Sequence, residues 1–568
     1  MSSDATTYAW SVDGVEGGSI ATGTISETGL YTAPSSAGNH TISATTSDGL
    51  QSGSAIVHVV SYQGTFTARE DNARTGANLN ETVLTPTTVN ASRFGKVRSF
   101  DIDGEAYASP LYVPAVDVPG AGVHNIVYIA TEHNSVYAFD ADGLVTAPLW
   151  RVSFINPAAG VTTVSPSDVG ECCDITPEIG ISGTPVIDAA RGILYVVAKT
   201  KEVVGRTTEF VQRLHALDLA TGAERLGGPV VIQASVPGTG AGTAGGQVAF
   251  SALTQNQRPA LLLQHGVVYV AFGSHGDRQP YHGWVIGYDA ATLQQTVAYN
   301  ATRNGEGAGV WIAESGPAAD AAGNVYFVTG DGTFDANIGG TSFGDSYLKM
   351  SPQGSVVDYF TPHDQGILDS NNIDLGSGGI VLLPDQPGAH PHLLVSAGKN
   401  GTIDLIDRDN MGHYQPNNDN QIVQSLINVF PFGTPEPGNY SAPVYFNGML
   451  FFSPVSDNIQ AFSLSNGLLS TTPTSRSSEI FAYPGGTIAL SASGDINGIL
   501  WAVERRENGS GALHAYDATN LAIELYHSDQ AGPRDTLDAP NKFSAPIVAN
   551  GKVYVASKTK LTIFGLFQ

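Results

Sequence analysis

One phrase of apolar and polar positions keeps returning along this chain. From residue 127 it reads Val127-Tyr-Ile-Ala-Thr-Glu-His-Asn-Ser-Val-Tyr-Ala-Phe-Asp140, with β-branched, small and aromatic residues on both sides of the polar step Glu132-His-Asn-Ser135. That pattern predicts two short strands and a tight turn, closed by an Asp-rich loop at Gly143. Copies follow at Gly192-Ile-Leu-Tyr195 with Leu214-His-Ala-Leu-Asp218, Gly266-Val-Val-Tyr269 with Val285-Ile-Gly-Tyr-Asp289, and Asn324-Val-Tyr326 with Tyr347-Leu-Lys-Met-Ser351. Four more stand at His392-Leu-Leu-Val-Ser396, Gly448-Met-Leu-Phe-Phe452, Gly498-Ile-Leu-Trp-Ala502 and Gly551-Lys-Val-Tyr-Val555, each with a partner run after it. A small residue followed by Pro precedes most copies, as at Ser109-Pro110, Thr184-Pro185, Gly316-Pro317, Ala442-Pro443 and Ala545-Pro546.

The unit ends fall at 140, 218, 289, 351, 407, 463, 517 and 565, so the spacing shrinks from 78 residues to about 50. Repeats of 40 to 50 residues with four strands each are the mark of propeller blades. Longer early repeats imply loop insertions. A blade cannot bury both faces alone, whereas eight around an axis can. The last repeat ends three residues before the chain does, so ring closure is expected from a strand drawn from about residues 78 to 102.

Ahead of the repeats, residues 8 to 60 alternate apolar and polar positions between Gly-rich turns, which reads as a small sandwich. The fold expected is therefore all-β: a small immunoglobulin-like β-sandwich over residues 1–62, a linker over 63–89 and an eight-bladed β-propeller over 90–568.

Composition agrees with many short strands and turns: 66 Gly and 31 Pro among 568 residues, with 14% charged and 42% hydrophobic side chains. The formal net charge of -26 disfavours nucleic acid and anionic lipid as partners and makes a cation easy to accommodate. No apolar run reaches the length of a membrane span. The Thr-, Gly- and Ser-rich style with few lysines leads us to expect a secreted, periplasmic or cell-surface bacterial protein whose leader is removed before residue 1.

Cysteine occurs twice, side by side, in Gly170-Glu-Cys-Cys-Asp174. Adjacent cysteines can close an eight-membered disulfide ring, act as a redox pair, or remain free thiols. Together with the eight repeats and turns such as Leu214-His-Ala-Leu-Asp-Leu-Ala-Thr-Gly222, this run resembles the quinoprotein alcohol dehydrogenases, propellers that hold pyrroloquinoline quinone on the axis. The resemblance implies a vicinal disulfide between Cys172 and Cys173 against one face of the quinone. It implies Trp311, in Gly309-Val-Trp311, on the other face, Asp331 as a metal ligand, and Asp374 as both catalytic base and ligand. Lys399 takes the place of a cation that touches the quinone, and Asp277 stands near the family's metal-binding Glu. Calcium or another cation is the metal implied, with a small alcohol or aldehyde as substrate. With no Cys-x-x-Cys-His haem site, electrons leave to a separate acceptor.

Several family features are absent. Asp331 replaces an Asn, Asp277 is one residue out of register, no Arg occurs in Ile175-Thr-Pro-Glu-Ile-Gly180, and of the inter-blade tryptophans Trp150 alone is well placed. Asp331 and Asp335 also resemble a calcium-loop spacing, and His390-Pro-His392 reads as a loop pair with nothing acidic close by in the sequence. Nearer still are secreted bacterial proteins in which an immunoglobulin-like domain precedes quinoprotein-like repeats. Two functions stay open: a quinone-dependent dehydrogenase, or a non-catalytic secreted propeller that binds a polymer, glycan or protein.

Overall fold

The computed structural model describes residues 7 to 567, other than 35, 37, 60, 61, 63, 171–173, 433–437 and 507. The chain is all-β. Each repeat forms an antiparallel sheet whose strands pair in sequence order, and the hairpin predicted around residue 130 is Gly122–Ala130 paired with Ser135–Asp140. Blade 1 spans Leu111–Val118 to Trp150–Ser153, blade 2 Val186–Asp188 to Val230–Val231, and blade 3 Leu262–Gln264 to Gln295–Asn300. Blades 4, 5 and 6 open at Ala318–Ala319, Ile380–Leu382 and Val444–Phe446, and blade 7 runs from Thr487–Ser493 to Glu524–His527.

Blade 8 has only Ile547–Ala549, Lys552–Ala556 and Lys560–Leu566 from the C-terminus, and Phe94–Asp101 supplies its fourth strand. The ring therefore closes within the expected window. The register runs from Leu566 opposite Phe94 to Lys560 opposite Asp101.

The recurrent Asp is a turn device. In Asp218, Asp289 and Asp517 one carboxylate oxygen accepts backbone N–H groups two or three residues on, which fixes the loop leaving the third strand. The recurrent Tyr is an inter-blade lock. Tyr128, Tyr195 and Tyr554 donate to the carbonyls of Leu219, Ala290 and Ala141, each the residue after the turn Asp of the next blade, at 2.9, 2.5 and 3.2 Å. Trp150 Nε1 reaches the same Leu219 carbonyl at 3.0 Å. Tyrosines thus hold blades together where tryptophans are missing, and apolar clusters such as Tyr128, Val196 and Leu217 between blades 1 and 2 fill the space around them.

The polar stretch after the N-terminal sheets is threaded into the hub. Thr65 pairs with Tyr112 of blade 1, and Phe66 O accepts from Ile187 N of blade 2. Asn72 donates to Leu263 O of blade 3 and accepts from Ala319 N of blade 4. The carbonyls of Ala73, Thr75 and Gly76 accept from Leu382, Tyr445 and Leu490 of blades 5 to 7, and Asn78 reaches Val548 O of blade 8. The backbone thus visits every blade in order within fourteen residues, satisfying inner-edge groups that no further strand covers. Residues 8 to 59 form their own four-stranded and three-stranded sheets, which pair only among themselves within the described residues.

Candidate active site

Loops that enter first strands, together with loops between second and third strands, line a cavity of about 270 Å³. Its walls include Asp277, Trp311, Asp374 and Lys399, four of the sequence-predicted residues, carried by four different segments. A second hollow of about 300 Å³ is lined by Asp331 and shares Asp277 and Asn372 with the first.

Trp311 lies against glycine. A Cβ on Gly273 would meet its ring at 2.8 Å, one on Gly330 at 2.9 Å and one on Gly309 at 3.0 Å, so the indole can approach the backbone only because those side chains are absent. Its Nε1 is buried without a partner among the described residues. Asp277 sits in a tight turn with φ 52°, where Tyr281 OH donates to it at 3.2 Å. Asp374 ends the loop before Leu375–Ser377; its Oδ1 accepts from Asp331 N at 3.2 Å, and its Oδ2 pairs with Lys399. The Asp331 Oδ1 is buried with no partner among the described residues.

The electrostatics are lopsided. Burial, then the charge of Asp374, pushes the Asp277 carboxyl up, and burial with Asp374 and Asp345 pushes Asp331 up further. Asp345, fully buried behind them and bonded to Leu375 N and Gln365, is raised for the same reasons. For Lys399, burial opposes the charge, yet Asp374, Asp331 and Asp277 together raise it above its ordinary value. One lysine thus faces three carboxylates with Asp345 behind them, an imbalance that an added cation would relieve.

Other residues were not foreseen. Asp174, Arg258, Tyr440, Tyr483 and Phe543 complete the cavity wall. Arg258 and Lys542 pair with Asp174, and against the cost of burial they hold its carboxyl below the ordinary range. Arg258 comes from the entry to blade 3. What these residues share in the sequence is an offset: Arg258, Tyr440 and Phe543 each stand four residues before a first strand, which opens at Leu262, Val444 and Ile547. Cys172 and Cys173 lie outside the described residues.

Asp335 leaves the site; its Oδ1 caps Ser342 N at 2.7 Å, and it is a turn residue. His390 and His392, read as lacking close acids, each pair at 2.7 Å with Asp407 and Asp409, because the hairpin folds those distant positions back beside them.

No protein-family model matches the chain, and no curated protein matches it. Among solved structures it is similar to a europium-containing methanol dehydrogenase, at 14% identity and a TM-score of 0.56 over 89% of this chain and 98% of that one. The chain has that enzyme's propeller fold. BamB from Moraxella catarrhalis (14% identity, TM-score 0.45, covering 83% of this chain and 97% of that one) and the computationally designed Ika8 protein (11%, 0.44, 83% and 100%) are also similar. No helix among the described residues is long and apolar enough to cross a membrane.

Proposed function

We propose that the cavity binds a planar tricarboxylate quinone of the pyrroloquinoline type with calcium or another multivalent cation, and oxidises a small alcohol or aldehyde. The observation that carries this reading is the meeting of Asp277, Asp331, Asp374, Lys399 and Trp311, far apart in the chain, around two joined hollows. The residues fit both groups: the partnerless Asp331 Oδ1 and the raised carboxyls call for a cation with oxygen ligands, and Trp311 offers a flat wall.

When bound, the quinone supplies the electron acceptor and the cation polarises its reactive carbonyl. Asp277, Asp331 and Asp374 would hold the cation, and Trp311 would cover one ring face. Asp374 Oδ1 takes the proton of the substrate hydroxyl, while Lys399 fixes the other oxygen of that carboxylate and so its orientation. Lys399 also places a positive charge where negative charge develops. Electrons then leave to a separate acceptor. The immunoglobulin-like reading of residues 1–62 and an extracytoplasmic location accompany this proposal, supported by the self-contained N-terminal sheets and the composition.

Titration of the purified protein with pyrroloquinoline quinone and calcium tests it. Saturable spectral change and dye-linked alcohol oxidation are expected, with oxidation lost in Asp374→Ala while quinone binding persists. No binding at micromolar quinone sinks the enzyme reading and leaves the polymer-, glycan- or protein-binding propeller.

A further inference from the structure

The cavity carries a second charged wall, opposite in sign to the first. Arg258 and Asp174 line it, and Lys542, outside the lining, pairs with the same Asp174; the two cations have side-chain exposures of 12% and 13%. Both pack on Phe543, the guanidinium carbon 4.4 Å and the ammonium 5.6 Å from the ring centroid. Arg258 is poorly used: its Nη1 reaches Asp174 only at 3.4 Å, and its Nη2 is buried with no partner among the described residues. A guanidinium so placed has fork geometry to spare for a planar oxyanion. Tyr440 and Phe543, with centroids 6.4 Å apart, stand between this wall and Lys399.

We propose that Arg258 and Lys542 form the seat for a ligand carboxylate, and that Asp174 occupies the seat until the ligand's own carboxylate displaces it. The proposal rests on the quinone reading above and adds which end of the ligand faces which blades: the carboxylates remote from the cation lie toward the entries of blades 3 and 8. It also gives Asp174 the role of an internal competitor. Held ionised by its two cations, Asp174 costs the incoming anion part of their attraction and keeps the seat from standing as two buried, unpaired charges.

Fluorescence titration of the wild type, Arg258→Gln, Lys542→Gln and Asp174→Asn with pyrroloquinoline quinone and with its trimethyl ester, in calcium buffer, tests the assignment. Folding is checked by circular dichroism. Arg258→Gln and Lys542→Gln should each weaken binding of the acid roughly tenfold or more. Asp174→Asn should tighten it several-fold, and none of the three should change binding of the ester. Unchanged acid affinity in both cation variants, or equal losses for acid and ester, overturns the seat and leaves the quinone reading standing. Weaker acid binding by Asp174→Asn overturns the competitor role. Absence of binding by the wild type overturns the quinone reading itself. Should Arg258→Gln fail to fold, Lys542→Gln and Asp174→Asn decide the matter.

Discussion

The hub of this propeller holds two sets of buried charge, and they are treated in opposite ways. In the threaded segment, Arg74 is fully buried and spends its guanidinium on Pro317 O, Thr67 Oγ1, Ala68 O and Leu261 O at 2.6 to 3.3 Å. Arg69 gives its Nη groups to Ala442 O and Pro443 O at 3.0 and 2.9 Å and to Ile488 O, and its Nε alone is buried without a partner among the described residues. Around the cavity, three carboxylates crowd one lysine, and an oxygen of Asp331 is left without a partner among the described residues. A buried charge surrounded by fixed dipoles stabilises a fold, whereas one left short of partners keeps stability in reserve for a ligand.

The largest expected effect breaks the satisfied side. Arg74→Met removes a guanidinium that ties carbonyls of blades 3 and 4 to the connector, leaving them buried and unpaired. We expect a loss of roughly 3–5 kcal/mol in urea unfolding, with little recovery in Arg74→Lys because a point charge cannot replace the fork. A loss below about 1 kcal/mol would remove the contrast between the two regions.

A smaller effect of opposite sign is expected at the cavity. Crowding raises the Asp331 carboxyl to about 10, so at pH 8 the fold keeps a proton there that the unfolded chain releases; Asp331→Asn removes that cost, and without added cation its melting temperature should rise by a few degrees. Added calcium should raise the wild-type value more than that of the variant. A variant less stable than the wild type in cation-free buffer would mean that Asp331 is held by structure and not by a ligand.

The two regions were unequally legible in the sequence. Blades were readable because their signals are local: period-two apolar runs, Tyr in the second strand and Asp at the turn all act within one repeat or on its neighbour. Ring closure was readable because blade 8 lacks a fourth strand at the C-terminus. The threaded segment gave no such sign, since it bonds mainly through backbone carbonyls and amides, which any residue supplies. Two arginines in a chain with only 26 basic residues were its one clue. At the cavity, Asp277, Trp311, Asp374 and Lys399 line one wall together, and Asp331 lines the neighbouring hollow. Arg258 and Lys542 did not show, because the stretches ahead of the first strands carry unlike side chains, such as Tyr107, Ser182, Arg258, Glu314, Tyr440 and Phe543, and a shared offset from a strand does not by itself say which of them line a cavity.

A pH-dependent effect lies where the two regions touch. Glu314 accepts from Ala442 N at 2.7 Å and faces Arg69 at 4.0 Å, yet its Oε2 has no partner, and burial pushes its carboxyl up to about 8 despite that arginine. Its ordinary value is 4.5. Between these values the folded protein keeps a proton that the unfolded chain releases, so the folded state binds more protons and stability falls as pH rises. Below the lower value both states are protonated and above the upper one both are ionised, so this slope is confined to that window. Glu314→Gln keeps the shape without the titration. Urea unfolding from pH 5 to pH 8 should therefore lose stability in the wild type by at most about 1.4 kcal/mol per unit more than in the variant. Glu70 and Glu132, also raised to about 8 by burial, contribute the same slope to both proteins and cancel in the difference. Parallel profiles would show that Arg69 satisfies Glu314 after all and that this carboxylate belongs wholly to the satisfied set.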